Sequence, residues 1–303
     1  MRVAGLDFGT NTCLCLVADI EGTQLRVLAD DVEIVRLGQG VDVSGRLAAA
    51  ALSRFDDALG CFALTLARLT PERILACATS AARDSVNREE LIAIGRKHGI
   101  PIEVISGEQE AELTFRGTLA EEPLVAASLP VAVIDVGGGS TELMFGEPGR
   151  LDSRISLDVG AVRLTERFSS MPDPVAVMRE AVRFAIKSSG FSADGKCRSV
   201  IGVAGTPTTL AAVELGLGRF DSARVHGHKF TIAGIEEWIS RLARMSNDER
   251  SSLPGMEPKR ADVIVAGLVC LVEGLRALNQ NELRVSTRGL RYGVAQWIAE
   301  RSV

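Results

Sequence analysis

Shifted by 128 positions, the sequence lies on itself. Val3-Ala4-Gly5-Leu6-Asp7-Phe8-Gly9-Thr10 falls on Val131-Ala132-Val133-Ile134-Asp135-Val136-Gly137-Gly138, and Thr12 falls on Ser140. Both copies run on into alternating apolar residues, Cys13/Cys15/Val17 and Leu143/Phe145. Each copy reads as strand, glycine-containing tight turn and strand, a β-hairpin with one aspartate closing its first strand. An offset close to half the chain favours duplication of the fold. Two related halves are then expected to enclose a cleft, with one aspartate hairpin on each wall.

The rest of the chain alternates strand with helix, which predicts an α/β protein whose mixed sheets are flanked by helices. In the first half, strands are expected over 24–36, 74–79 and 102–105, and helices over 44–69 and 85–98. Gly99 and Pro101 end the second of these helices. Ser106 and Gln109 form a capping box that starts another. Residues 120–130, with Pro123 and Pro130, read as a linker. The expected domains are 1–124 and 125–303, with the last helix packing back on the first domain. In the second half, strands are expected at 153–157, 199–203 and 283–285. Helices are expected over about 160–169, 173–189, 206–216, 232–244, 259–278 and 288–301.

Length and composition exclude several classes. The 303 residues, 46% hydrophobic and 24% charged, suit about two globular domains with sizeable cores. Aromatics are 4% of the chain and the net charge is −5, so neither stacking platforms nor a global basic footprint for DNA exists. No apolar run reaches the ~18–20 residues of a membrane span. The six cysteines lack CxxC spacing and read as free thiols of a reducing cytoplasm. A cytoplasmic protein without membrane attachment is expected, with a homodimer as the default assembly.

Two short Gly/Thr/Ser turns beside one cleft suit phosphate. Glycines let the backbone approach closely, and successive N–H groups make an anion-binding nest. Gly9, Gly137, Gly138 and Gly139 supply that backbone, and Thr10, Asn11, Thr12, Ser140 and Thr141 add side-chain donors. Asp7 and Asp135 are hard oxygen ligands for Mg2+, with Glu142 beside them. The alternative is that glycine and asparagine only serve the turn geometry. No GxxxxGK(S/T) or GxGxxG occurs, which excludes the P-loop and disfavours a dinucleotide fold.

Glu142 follows the second turn directly, and Glu110 lies in the first turns of the capped helix. Either could deprotonate a water. Acidic residues at a helix N-terminus also complement its dipole, which accounts equally for Glu108, Glu110 and Glu112. Arg83 follows a buried strand and could fork onto phosphate oxygens, though a solvated arginine is commoner. Gly205 and Thr206 open a third Gly/Thr turn able to receive an anion or a ribose at a helix N-terminus. His226 and His228 lack a third metal partner in spacing reach. Arg163, Arg167, Arg179, Arg183 and Lys187 recur at helical spacing, either along a polyanion path or on a solvated face.

These residues resemble the Ppx/GppA phosphatase family, the exopolyphosphatases and guanosine pentaphosphate phosphohydrolases of the actin and sugar-kinase superfamily. The likeness is carried by Gly5-Leu6-Asp7-Phe8-Gly9-Thr10-Asn11-Thr12, Ala78-Thr79-Ser80-Ala81-Ala82-Arg83, Ile105-Ser106-Gly107-Glu108-Gln109-Glu110-Ala111 and Val133 to Glu142, in the right order. Asp158 to Glu166, His226-Gly227 and Arg260 to Ile264 extend it over essentially the whole chain. The resemblance implies two duplicated ribonuclease H-like (actin-like) domains and hydrolysis rather than kinase chemistry. It implies Glu110 as catalytic base, Glu142 as its partner, Asp135 at a metal and Arg83 on phosphate. It departs from the usual pattern at Thr287, where family members carry aspartate, and the chain resembles the short two-domain members.

The expected activity is release of orthophosphate from the end of inorganic polyphosphate, dependent on Mg2+ or another divalent cation. The alternatives are hydrolysis of pppGpp to ppGpp, and a non-catalytic sensor of polyphosphate or alarmone.

Overall fold

The computed structural model describes residues 1–22, 24–120, 129–193 and 197–301. Most of the expected linker, residues 121–128, lies outside them. The chain divides into two compact units. The first comprises Met1–Ala120 and the chain from Gly289 onward; the second ends at Arg288. The C-terminal helix is grouped with the first unit, so that unit is made of two separate stretches of chain.

Unit 1 holds β1 (Arg2–Phe8), β2 (Thr12–Glu21), β3 (Gln24–Ile34), β4 (Arg73–Ala78) and β5 (Ile102–Val104) in the order β3-β2-β1-β4-β5. β1–β2–β3 are antiparallel, and β4 and β5 run parallel to β1. Its helices are α1 (Val41–Ser44), α2 (Ala49–Leu69), α3 (Ser80–Arg83), α4 (Arg88–Lys97) and α5 (Gly107–Leu119). The expected helix over 44–69 is split by Gly45, which adopts a left-handed conformation at the end of α1. Alternate residues of β1 serve opposite faces, as the pleat requires. Ala4, Leu6 and Phe8 join Phe55, Leu59 and Phe62 of α2 in one core, and Phe8 meets Phe55 edge-on at 5.0 Å. Val3 packs on the other face with Leu113 of α5 and Val294 and Ala295 of the C-terminal helix.

Unit 2 repeats the plan. β6 (Val131–Val136), β7 (Thr141–Glu147), β8 (Arg150–Leu157), β9 (Ser199–Val203), β10 (Lys229–Thr231) and β11 (Glu282–Val285) form a sheet ordered β8-β7-β6-β9-β11-β10. Set β8-β7-β6-β9-β11 beside β3-β2-β1-β4-β5 and each strand has its counterpart with the same direction. β10 is an added antiparallel edge in a segment expected to be a loop. Helices α6 (Ala161–Phe168), α7 (Pro174–Ser189), α8 (Gly205–Glu214), α9 (Ser222–Val225), α10 (Ile232–Ala243), α11 (Asn247–Ser251) and α12 (Ile264–Ala277) complete the unit. The expected helix over 259–278 is shorter, preceded by a separate turn at Pro258–Arg260. α12 is buried on nearly all sides and is core, packing Gly274 against Ile134 and Leu143.

The last helix, α13 (Leu290–Glu300), lies on β1 and α5 of unit 1. Glycines make the approach possible. A Cβ on Gly293 would lie 1.8 Å from the Leu113 carbonyl oxygen, and one on Gly117 would lie 2.4 Å from the Gly293 nitrogen. From the same helix, Arg291 pairs with Asp30 of β3 at 2.7 Å. No helix among the described residues is long and apolar enough to cross a membrane.

Candidate active site

The duplicated hairpins agree in detail. Gly9 N–H donates to the Thr12 carbonyl at 3.0 Å, and Gly137 N–H donates to the Ser140 carbonyl at 3.0 Å. In each turn the carbonyls are tied back into the unit. Gly38 N–H donates to Thr10 O, while Val35 and Arg36 donate to Asn11 O. In the second turn, Ala161 donates to Gly137 O, Val162 and Arg163 donate to Gly138 O, and Arg163 Nε donates to Gly139 O at 2.8 Å. The N–H groups of Thr10, Asn11, Gly138 and Gly139 are left without an acceptor among the described residues. Backbone donors this close to the interior need a partner, which suits an anion.

Two glycines that residue types did not single out hold these turns. A Cβ on Gly38 would lie 2.1 Å from Thr10 Cγ2, and one on Gly160 would lie 2.5–2.6 Å from backbone atoms of Gly138 and Gly139. Ser140 and Thr141 are buried, and the Thr141 hydroxyl donates to the Val159 carbonyl at 2.6 Å.

The hairpins differ in one position that decides their chemistry. Asp7 stands opposite Leu14 on β2, whereas Asp135 stands opposite Glu142 on β7. Directly opposed residues share a face with Cβ atoms about 5 Å apart. Unit 2 therefore carries a carboxylate pair where unit 1 carries one carboxylate and a leucine. Glu142 is 1% exposed, and Ser156, its neighbour on β8, donates a hydroxyl to Glu142 Oε1 at 2.7 Å. Ser156 gives no signal in the sequence beyond the strand it sits on. Two hard oxygens held side by side fit a Mg2+ ion that keeps waters and takes substrate oxygens. No group of three or more His, Cys, Asp or Glu residues able to hold a metal occurs among the described residues.

In unit 1 three loops meet at the carboxyl ends of parallel strands, the usual ligand edge of such sheets. Thr79 N–H donates to the Phe8 carbonyl, and Ile105 N–H donates to the Ala78 carbonyl. The expected Ser106 capping box is present, and it sets the start of α5 and so the place of Glu110. Glu110 is 8% exposed. Its Oε2 accepts from Arg83 Nη1 at 2.7 Å, and Arg83 Nη1 also donates to the Ile105 carbonyl at 3.0 Å. Burial pushes the Glu110 carboxyl above the usual range, while Arg83 and the Thr79 hydroxyl pull it back. Arg83 is thus no solvated arginine. It ends the short helix α3, in a stretch expected to be a loop, and is bound to the candidate base.

The matching edge of unit 2 holds the third turn. Ala204 has φ 70° and ψ −165°, a strained conformation for a residue with a side chain. Gly205 follows it at the start of α8, and a Cβ there would fall 1.1 Å from Arg260 Nη1. Burial lowers the Arg260 guanidinium to about 10. Thr206 is buried against Gly267 of α12. Next along this edge, Ser286 N–H donates to the Gly202 carbonyl, and Thr287 N–H donates to His226 Nδ1 at 3.2 Å. Thr287, the residue that departs from the family pattern, therefore holds an imidazole nitrogen through its backbone.

The basic series does not form one stripe. Arg163 is bound to the second hairpin turn, and Arg179 and Arg183 are tied to Glu273 at 2.7 Å each. His228 pairs with Glu214 and His98 with Asp56. The six cysteines are free, five of them buried.

A model of the Ppx/GppA phosphatase family matches residues 16–301. Exopolyphosphatase 2 of Mycobacterium tuberculosis is 38% identical, the alignment covering 98% of this chain and 98% of that protein. The crystal structure of an exopolyphosphatase from Cytophaga hutchinsonii is 28% identical with a TM-score of 0.84, covering 99% of this chain and 98% of its own. That of the Aquifex aeolicus Ppx/GppA family member is 31% identical with a TM-score of 0.80, covering 100% and 99%.

Proposed function

The chain belongs to the Ppx/GppA phosphatase family, and from that premise we propose that it is a metal-dependent exopolyphosphatase in which Glu110 activates water. The observation that carries the reading is Glu110 itself, a buried carboxylate fixed at the start of a capped helix with one oxygen on Arg83. A general base needs such a poised carboxylate, and burial that raises its affinity for a proton makes it more effective near neutral pH.

Water gives its proton to Glu110 and its oxygen to the terminal phosphorus. The bridging P–O bond breaks, and its electrons stay with the oxygen of the shortened chain, which takes up a proton from solvent. Orthophosphate is the product. In unit 1 the N–H groups of the first hairpin turn, with Thr10, Asn11 and Thr12, and in unit 2 those of the second turn, with Ser140, each offer donors suited to phosphoryl oxygens as charge spreads over them, while the Thr141 hydroxyl is already spent on the Val159 carbonyl. Arg83 contributes a fork onto the same oxygens. Asp135 and Glu142 would hold a divalent ion, which when bound draws charge from the phosphoryl group. Asp7 stands opposite Leu14 rather than a carboxylate and would contribute one ligand.

A second reading, hydrolysis of pppGpp to ppGpp, draws support from the strained Ala204 turn, where Gly205 sits beside Arg260 and Thr206 follows it. Orthophosphate release from long polyphosphate, short polyphosphate and pppGpp separates the two. Each would be measured with Mg2+ and with chelator, for wild type and Glu110→Gln. Release from polyphosphate that requires the ion and vanishes in Glu110→Gln is the expected result. Release from pppGpp alone would favour the second reading. Binding without release from any substrate would make the protein a sensor and remove Glu110 as base.

A further inference from the structure

Arg83 is committed twice, to Glu110 Oε2 at 2.7 Å and to the Ile105 carbonyl at 3.0 Å. The Arg83 and Glu110 side chains are 21% and 11% exposed, so the pair is little screened by solvent. A guanidinium at contact is what lets a carboxylate this deep stay ionised. The same contact weakens it as a base, since taking a proton would leave Arg83 facing a neutral acid.

The two partners are not held equally. Glu110 belongs to a thirteen-residue helix whose start is fixed by the Ser106 capping box. Arg83 ends a four-residue helix and reaches out on a long side chain. The guanidinium is therefore the member that can change partner. A terminal phosphoryl dianion offers several oxygens in the geometry a guanidinium prefers.

We propose that Arg83 is a positioning residue that switches partner: it is held by Glu110 until a terminal phosphoryl group arrives, moves onto that anion, and so leaves the buried carboxylate a stronger base just when water must lose its proton. The proposal rests on the reading of Glu110 as the base. It also gives a reason for attack at chain ends. A terminal phosphoryl group carries the charge to compete with a carboxylate for Arg83, whereas an internal unit carries less.

Other charged and titratable groups surround Glu110. Asp84 at the end of α3 opposes its ionisation. Cys77 of β4, which interacts with Glu110, Asp7 and Glu103, is a thiol pushed far up by burial. Glu108 and Glu112 share its helix, and on α13 Arg291 and Glu300 are taken by Asp30 and Arg116. These contacts are common to both arrangements, so the partner change is read as a difference.

The test is the acid limb of the pH profile with short polyphosphate and Mg2+. The limb of kcat/KM reports Glu110 in the free enzyme, and the limb of kcat reports it with substrate bound. In wild type the kcat limb is expected at a pH roughly 1–3 higher, the usual effect of removing a close counter-charge. In Arg83→Met both limbs should coincide at the higher pH, and Arg83→Lys should restore part of the separation. Titration of substrate is the same for every variant and cancels. Coincident limbs in wild type, or an unmoved kcat/KM limb in Arg83→Met, would overturn the proposal.

Should Arg83→Met fail to fold, difference infrared spectroscopy of wild type against Glu110→Gln follows the carboxylate directly. Orthophosphate as the added anion should move its midpoint upward, and an unmoved midpoint refutes the switch. If Glu110→Gln retains turnover, the reading of Glu110 as base fails, while the infrared result still decides whether Arg83 changes partner.

Discussion

Gly160→Ala is the sharpest test of how the second hairpin turn is held. The new Cβ would lie 2.5 Å from the Gly138 carbonyl oxygen and 2.6 Å from two carbonyl carbons, where ordinary contact begins at 3.4 Å. These are backbone atoms of the turn itself, so no flexible side chain can yield. The turn must move by about 0.9 Å, or the start of α6 must withdraw. Either movement strains the bonds from Ala161, Val162 and Arg163 to the turn carbonyls. Overpacking of this kind costs about 1–3 kcal/mol. At about 2–4 °C per kcal/mol, the melting temperature should fall by a few degrees to about 10 °C. A displacement near 1 Å at a phosphate-binding turn costs about 100-fold in turnover. Thermal melts and the kinetics of orthophosphate release would be measured on the variant and on Gly218→Ala, whose Cβ meets nothing within 4 Å. Wild-type kcat/KM in a folded but less stable Gly160→Ala would refute the argument that the turn binds phosphate. Unchanged melting and unchanged kinetics would refute the packing itself.

Asp135→Asn and Glu142→Gln should each raise the Mg2+ concentration needed for half-maximal activity, and Asp7→Asn should raise it less; equal shifts in a metal titration of all three would contradict the reading drawn from the Leu14/Glu142 difference. Glu273→Ala should destabilise unit 2 by about 1–3 kcal/mol in urea unfolding, because Arg179, Arg183 and Arg276 lose a shared partner, although Arg179 and Arg276 keep Glu236. Burial alone would push the Glu273 carboxyl up, but hydrogen bonds from these three arginines hold it below the usual range. A depressed folded value gives stability that is present above the unfolded value of about 4.3 and is lost as pH falls through the folded one. Glu273→Gln should lack that acid-side loss, and identical acid unfolding curves would show that the cluster is not responsible.

The sequence alone determined the hairpins, their offset and most helices and strands, because each is a local pattern. Alternation of apolar residues, glycines at the turns and the Ser106–Gln109 cap act within a few residues of chain. The shared strand order then follows from duplication, and the resemblance assigns Glu110 from its motif. What the residues around Glu110 do could not be read locally. Ser80 to Arg83 looks like a loop, yet it forms a helical turn that brings Arg83 onto a carboxylate 27 residues away. The same holds for Arg179 and Arg183, whose spacing fits a solvated face but whose partner Glu273 lies on α12, 90 residues or more along the chain.

The departures share one physical cause. Ser156 reaches Glu142 through strand register, Gly160 touches Gly138 through a helix packed on a turn, and α13 packs on the first unit through Gly117 of α5 and its own Gly293. In each case the partner is far off in sequence, and the contact is decided by which faces the sheets and helices bury. Local chain chemistry set where the carboxylates, glycines and arginines stand. Tertiary packing alone decided which of them are paired, and so which carboxylate stands buried against an arginine.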